Sequence, residues 1–182
     1  MKKKNLYNFL ALVFFFSLFF SCHKQVEYPP EPIIDFQYLT VKDTVENSEL
    51  GNNIVLYRIA FKVIDGDNNL GISQEDFTQD SLYNLFVNIL NKNNGQFDTV
   101  DLPLSLDFRI PQAEMVSIYN YFKALVFVDL TFDPGIISNS LDTFKFSFYV
   151  VDKDLNKSNE QETPEISLDF RGTLMDTIAI IY

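Results

Sequence analysis

Residues 143–150 have the sequence TFKFSFYV, in which Phe, Phe, Phe and Val take every second position. A period of two places these four side chains on one face of an extended strand, and the Lys, Ser and Tyr between them on the other. One face can then join an apolar core while the other meets water, as is typical of antiparallel sheets. The stretch therefore predicts a half-buried strand.

The same alternation recurs along most of the chain from Ile33 onward. It is clearest at 57–63, 85–89, 126–132, 166–170 and 178–182. About seven or eight short strands in one small domain are typical of a sandwich of two sheets. The sequence therefore predicts an all-β fold, an immunoglobulin-like antiparallel β-sandwich over residues 33–182.

The dipeptide Asn94-Gly95 lies between two of these runs. It is a strong hairpin signal, because both residues accept the positive φ angles that a tight turn requires. We expect about 83–90 to pair with about 96–102 across it.

One segment does not follow the strand pattern. Met115, Ile118, Tyr119 and Phe122 recur at helical spacing, and Pro111 suits the first turn of a helix. This spacing favours a helical turn within 111–122, and the alternative is an irregular approach to the next strand.

The beginning of the chain has the features of a secretory signal. Lysines at 2–4 form a cationic start, and an apolar run over 9–20 follows, interrupted only by Ser17. A run of about 12 residues is too short to span a bilayer, which needs roughly 20. We therefore predict a signal peptide over residues 1–21.

The chain's one cysteine, Cys22, follows directly after Ser21. A lipoprotein signal peptidase requires a small residue before a cysteine whose thiol carries a diacylglyceryl group. The stretch LFFSC at 18–22 resembles a bacterial lipobox, although Phe19 departs from the usual aliphatic residue. The Phe-rich run is similar to that of lipoproteins of the Bacteroidetes type. A plain signal peptide, with Cys22 incidental, is the alternative.

This resemblance implies an acyl anchor at Cys22, palmitate included, that attaches the protein to a membrane of the cell envelope. No Asp follows Cys22 directly, which is compatible with passage to the outer membrane. Display toward the periplasm or toward the exterior stays open. Residues 22–32 contain Pro29, Pro30 and Pro32 and predict a polyproline tether of roughly 30 Å.

Composition excludes several classes of protein. Lys and Arg number 14 against 25 Asp and Glu, so the formal net charge of −11 excludes an ordinary nucleic-acid binder. With 19 Phe and 9 Tyr, the chain has too much core-forming surface to be disordered.

The inventory of reactive groups predicts that the protein is not an enzyme. The one His, His23, lies beside the anchor, and Cys22 is consumed by lipid, so neither a serine nor a cysteine triad can form in the folded body. No Gly-rich phosphate loop is found. A pair of carboxylates for glycoside hydrolysis is the one catalytic arrangement that so many acidic residues leave open.

Two acidic loops follow strand-like runs and carry oxygen-bearing side chains at alternate positions. They contribute Asp65, Asp67, Asn69, Asp152, Asp154 and Asn156, and Asp76 lies eleven residues after Asp65. This spacing suits Ca²⁺, which takes six to eight oxygen ligands. If 54–64 and 143–151 are strands B and F of the sandwich, the loops emerge at the same end. The alternative is that both loops are ordinary turns, since turns favour Asp, Asn and Gly.

The loops resemble those of Bacteroidetes lipoproteins with immunoglobulin-like or cadherin-like domains. The shared features are an Asp-Gly-Asp turn at 65–67 and an Asp152…Asn156-Lys157-Ser158-Asn159 turn near the end. Two hypotheses about function follow. The first is a lipid-anchored, non-catalytic interaction or structural domain with an envelope protein partner. The second is a lipoprotein that binds Ca²⁺ or another ligand at the acidic loops.

Overall fold

The computed structural model describes residues 27–47, 52–73, 82–112, 121–133 and 141–167. Within these ranges the regular structure consists of strands alone. The strands are β1 (Ile33–Asn47), β2 (Asn52–Asp65), β3 (Leu85–Asn93), β4 (Gln96–Thr99), β5 (Leu106–Phe108), β6 (Phe122–Phe132), β7 (Thr143–Val150), β8 (Gln161–Glu162) and β9 (Ile166–Ser167). In the part of the chain so described, no helix is long and apolar enough to cross a bilayer.

The strands form two antiparallel sheets. One has the order β1-β2-β6, and the other has the order β4-β3-β7-β8, with β5 also paired to β3 and β9 also paired to β7. This order places β2 and β7, the strands that precede the two acidic loops, in different sheets. The predicted all-β sandwich is confirmed.

The core lies between the two sheets and is rich in aromatic side chains. Phe144, Phe146 and Phe148 of β7 are fully buried, as the alternation predicts. Tyr57 of β2 meets Phe144 and Phe146 edge-on, with ring centroids 5.8 and 5.6 Å apart, and Phe61 of β2 packs on Phe148 at 5.1 Å. Such pairs join the two sheets through favourable ring geometry as well as apolar burial.

The predicted hairpin forms at Asn94-Gly95. Both residues have positive φ, 51° and 85°, and β3 pairs with β4 from Asn93↔Gln96 to Leu90↔Thr99. The second strand ends earlier than the predicted 96–102. Beyond it the chain returns to β3 as the short strand β5, opposite Leu85 to Val87.

Three predicted features fall largely or wholly outside the described residues. They are the signal peptide with Cys22, the helical turn between Pro111 and Phe122, and the last alternating run at 178–182. Of the helical turn, the structure describes only its two ends. Pro111 forms an isolated bridge with Ile72, and Phe122 begins β6.

Residues 27–32, which we call the strap, lie against the sandwich. Pro32 is buried, and the Tyr28 ring meets that of Tyr121 edge-on at 4.9 Å. The amide of Gly66 donates a hydrogen bond to the Pro29 carbonyl oxygen over 3.1 Å. This part of the predicted tether is therefore docked on the domain and does not extend away from it.

Side chains fasten β1 of one sheet to the segment that leads into β8 of the other. Asn159 accepts from the Ile34 amide at 2.9 Å and donates to the Ile34 carbonyl at 2.8 Å. Gln161 accepts from the Phe36 amide at 3.4 Å. The amide of Asn159 thus takes the place of a neighbouring strand at the start of β1.

Candidate cation site

Two acidic loops meet at the end of the sandwich where β2 and β7 finish. We call the loops at 65–71 and 152–158 together the acidic pole. The side-chain amide of Asn69 donates a hydrogen bond to the Asp154 carboxylate over 2.9 Å. The two loops therefore touch although they follow strands of different sheets, because β2 and β7 run in the same direction.

Asp65, the last residue of β2, is the innermost carboxylate of the acidic pole and is fully buried. Its Oδ2 accepts hydrogen bonds from the backbone amides of Asn69 and Leu70, both at 2.8 Å. Its Oδ1 has no hydrogen-bond partner within the part of the chain that the structure describes. An unpaired buried carboxylate oxygen is costly, so a ligand at Oδ1 would lower the free energy of the folded state.

Asp67 and Asp152 complete a cluster around Asp65. One carboxylate oxygen from each of the three residues lies within 4.8 Å of the others. Two ligands of one Ca²⁺ ion, each at 2.3–2.6 Å, are at most about 5 Å apart, so these oxygens fit around a single ion. Asp152 is buried and Asp67 is exposed, so the cluster opens to solvent on the Asp67 side.

The electrostatics of the cluster favour a positive ligand. Burial raises the pKa of Asp65 to about 6, and the nearby Asp67 carboxylate adds to the rise, while the two amide hydrogen bonds oppose it. Two carboxylates this close are stabilised either by a shared proton or by a cation. A divalent ion would remove the repulsion between the Asp65 and Asp67 carboxylates, which a shared proton otherwise relieves.

Asp152 closes the second loop through Asn156. Its Oδ1 accepts from the Asn156 backbone amide at 2.7 Å, and its Oδ2 accepts from the Asn156 side chain at 2.8 Å. The rest of the motif is structural as well. Ser158 accepts a hydrogen bond from the Val150 amide at 3.0 Å, and Asn159 binds β1. Most of the Asp…Asn-x-Ser-Asn pattern thus shapes and fastens the loop.

The predicted site residues fall into three groups. Asp65, Asp67 and Asp152 converge, while Asn69 bridges to Asp154 and to Asp67, the latter at 3.0 Å. Asn156 holds Asp152 in position, and Asp76 lies outside the described residues. The Oδ1 atom of Asn69 has no partner among the described residues, and the Nδ2 atom of the same side chain donates to Asp67.

Asn84 is a supporting residue that sequence reasoning missed. It lies just before β3 and is buried, although it is polar. Its side chain donates to the Leu70 carbonyl at 2.6 Å and accepts from the Ile110 amide at 2.6 Å. Its backbone carbonyl accepts from Val151 at 2.9 Å, so Asn84 ties both acidic loops to the rest of the domain. The available signal was a polar residue directly before a buried strand.

The converging oxygens are of the type that hard cations bind. Three carboxylate oxygens converge, which is part of the six to eight oxygens that Ca²⁺ takes, and the surrounding hydrogen bonds fix their geometry. Comparison with protein families, with curated proteins and with solved structures finds no match to this chain.

Proposed function

We propose that this protein is a lipid-anchored, non-catalytic domain of the cell envelope whose acidic pole binds a calcium ion. The observation that carries the proposal is the buried Asp65 carboxylate, whose Oδ1 has no partner among the described residues and which lies in a cluster with Asp67 and Asp152. The anchor rests on the lipobox-like sequence that ends at Cys22. Of the two functional hypotheses, the geometry favours the ligand-binding one.

Calcium fits the site better than magnesium does. Mg²⁺ sheds its water reluctantly and usually retains several waters, whereas Ca²⁺ accepts a ring of carboxylate and amide oxygens. Asp65 and Asp152 are buried and leave little room for retained water. Their carboxylates come from loops of different sheets, so the bound ion would also fasten the two sheets together at this end.

Thermal unfolding of the purified full chain tests the proposal. An ion that binds only the folded state stabilises it by about 2.7 kcal/mol when its concentration is 100 times Kd. For a domain of this size, 1 kcal/mol moves the Tm by roughly 2–4 °C. Millimolar Ca²⁺ should therefore raise the Tm by several degrees above its value in EDTA, and Mg²⁺ should raise it less.

Asp67→Asn provides the matched variant, because Asp67 is exposed and its loss removes a ligand without disturbing the core. It should retain the fold and lose most of the Ca²⁺ response. Asp98→Asn, also at an exposed position but on β4, should respond as the unmodified chain does. An equal Tm in Ca²⁺ and EDTA for the unmodified chain would disprove the site.

A further inference from the structure

The acidic pole lies at the end of the domain from which the chain leads back toward Cys22. Ile33 at the start of β1 pairs with Ile64, next to Asp65, and the strap crosses the loop at Gly66. Five residue steps separate Glu27 from Cys22. At about 3.5 Å per residue these steps span at most about 18 Å, so an anchored Cys22 keeps the acidic pole close to the bilayer.

Leu155 is an exposed apolar side chain at the tip of the second loop of the acidic pole. It is 82% exposed and has a positive φ of 66°, which is uncommon for a residue other than glycine. Its amide donates a hydrogen bond to the Asp152 carbonyl over 3.2 Å, so the tip of the loop is fixed to one of the three clustered carboxylate residues. The loop therefore presents an apolar side chain next to a candidate ion.

We propose that the calcium-loaded acidic pole docks on the phosphate headgroups of the membrane that holds the anchor, with Leu155 entering the interfacial region. This inference rests on the proposed function. The ion would be shared between the carboxylates of Asp65, Asp67 and Asp152 and the phosphate oxygens of the lipids.

Charge explains why docking requires the ion. The domain is acidic, and without a cation an acidic pole is repelled by anionic lipids. Asp67 is exposed, which leaves the open side of the cluster facing outward, where lipid phosphates can complete the coordination of Ca²⁺. One leucine adds apolar contact area beside that contact. Acylation alone would leave the orientation of the domain free, whereas a second contact fixes it.

A single tryptophan provides the test, because the chain contains none of its own. Leu155→Trp is introduced into the full chain, which is held by its anchor in vesicles of phosphatidylethanolamine and phosphatidylglycerol with brominated acyl chains. Ca²⁺ should shift the indole emission to the blue and quench it, and EDTA should reverse both effects. Leu104→Trp is the matched control, since Leu104 is 80% exposed but lies between β4 and β5, and its emission should not respond.

The outcomes separate the two proposals. If Ca²⁺ raises the Tm but leaves the Leu155→Trp emission unchanged, the docking inference is wrong and the calcium site stands. If the quenching is the same in Ca²⁺ and EDTA, or persists when Asp67→Asn is added, the ion does not mediate the contact and the inference is again wrong. If the Tm does not respond at all, the calcium site itself fails.

Discussion

At the scale of single residues, Asp65 combines two properties that favour its proposed role as an ion ligand. It is held rigidly by two backbone amides through one oxygen, and its other oxygen has no partner among the described residues. Arg58 and Asp129 show the contrasting case of a carboxylate that is satisfied within the chain. They form an exposed ion pair at 2.6 Å, and its hydrogen bond lowers the pKa of Asp129.

The raised pKa of Asp65 makes stability depend on pH when no divalent ion is present. Because the pKa is about 6 in the folded state against 3.8 ordinarily, its contribution is complete below about pH 4 and is lost as pH rises through 6. In EDTA the Tm should therefore be lower at pH 8 than at pH 5. The pKa of Asp129 is lowered, so the stability that Asp129 contributes is lost only as pH falls below the ordinary pKa of a carboxyl group. That change lies outside the interval from pH 5 to pH 8.

Asp65→Asn isolates the effect that the Asp65 charge has on stability. The amide can still accept from Asn69 and Leu70, and it can donate toward Asp67 without carrying a charge. We expect this variant to be more stable than the unmodified chain in EDTA at pH 8, by on the order of 1 kcal/mol, and to lose the Ca²⁺ response. Chemical denaturation at pH 5 and pH 8 measures both effects. A variant less stable than the unmodified chain at pH 8 would show that Asp65 is ionised without strain.

At the scale of elements, the strap is held by a close backbone approach that only glycine allows. A Cβ atom built on Gly66 would lie 2.2 Å from the Pro29 carbonyl oxygen and 2.4 Å from that of Tyr28. Neither oxygen belongs to a side chain that can turn aside. The glycine of the Asp-Gly-Asp sequence in the first acidic loop is therefore required for the approach of the strap, independently of the two carboxylates beside it.

Gly66→Ala should displace the strap while leaving the sheets intact. The loss of the Gly66–Pro29 hydrogen bond costs on the order of 1 kcal/mol, and hydrogen exchange at the amide of residue 66, which donates that bond, should accelerate. Gly95→Ala is the matched control. Its Cβ meets nothing within 4 Å, yet its φ of 85° makes alanine unfavourable by about 1 kcal/mol. Unchanged exchange at the amide of residue 66 in Gly66→Ala would show that the strap is not held there.

The elements also show how far the sequence alone could lead. A period of two identifies β2, β3, β6 and β7, because alternation reports directly which face is buried. The strands β2 and β7 end at the same end of the sandwich, and this places the two acidic loops together. The docked strap and the burial of Asn84 depend on contacts between distant segments, which local patterns do not record. That Oδ1 of Asp65 has no partner in the described part of the chain likewise depends on which amides reach its other oxygen.

At the scale of the whole molecule, the proposed anchor determines where the acidic domain is found. Diacylglyceryl and acyl chains on Cys22 would bind the bilayer durably, since each buried methylene contributes about 0.8 kcal/mol. The negative net charge of the chain opposes attachment through lipid charge alone. In this proposal, retention at the membrane therefore depends on the Cys22 thiol.

Cys22→Ser should release the protein from membranes. Fractionation of cells with a carbonate wash measures this, and the unmodified chain is expected in the pellet and the variant in the supernatant. Ser21→Ala is the matched control, because alanine is also small and should still permit processing. A Cys22→Ser variant that stays in the washed pellet would contradict the anchor.

The proposed anchor at Cys22 precedes β1 in the chain, and this order would have a mechanical consequence. β1 pairs with β2 along a ladder that runs from Ile33↔Ile64 to Asn47↔Asn52. Tension between the bilayer and a load at the far end of the domain acts along the axis of β1, across hydrogen bonds that lie perpendicular to it. We expect the strap to detach first. The force then acts in shear on many β1–β2 hydrogen bonds at once. A domain loaded in shear resists a pulling force far better than one whose terminal strand is pulled away one hydrogen bond at a time.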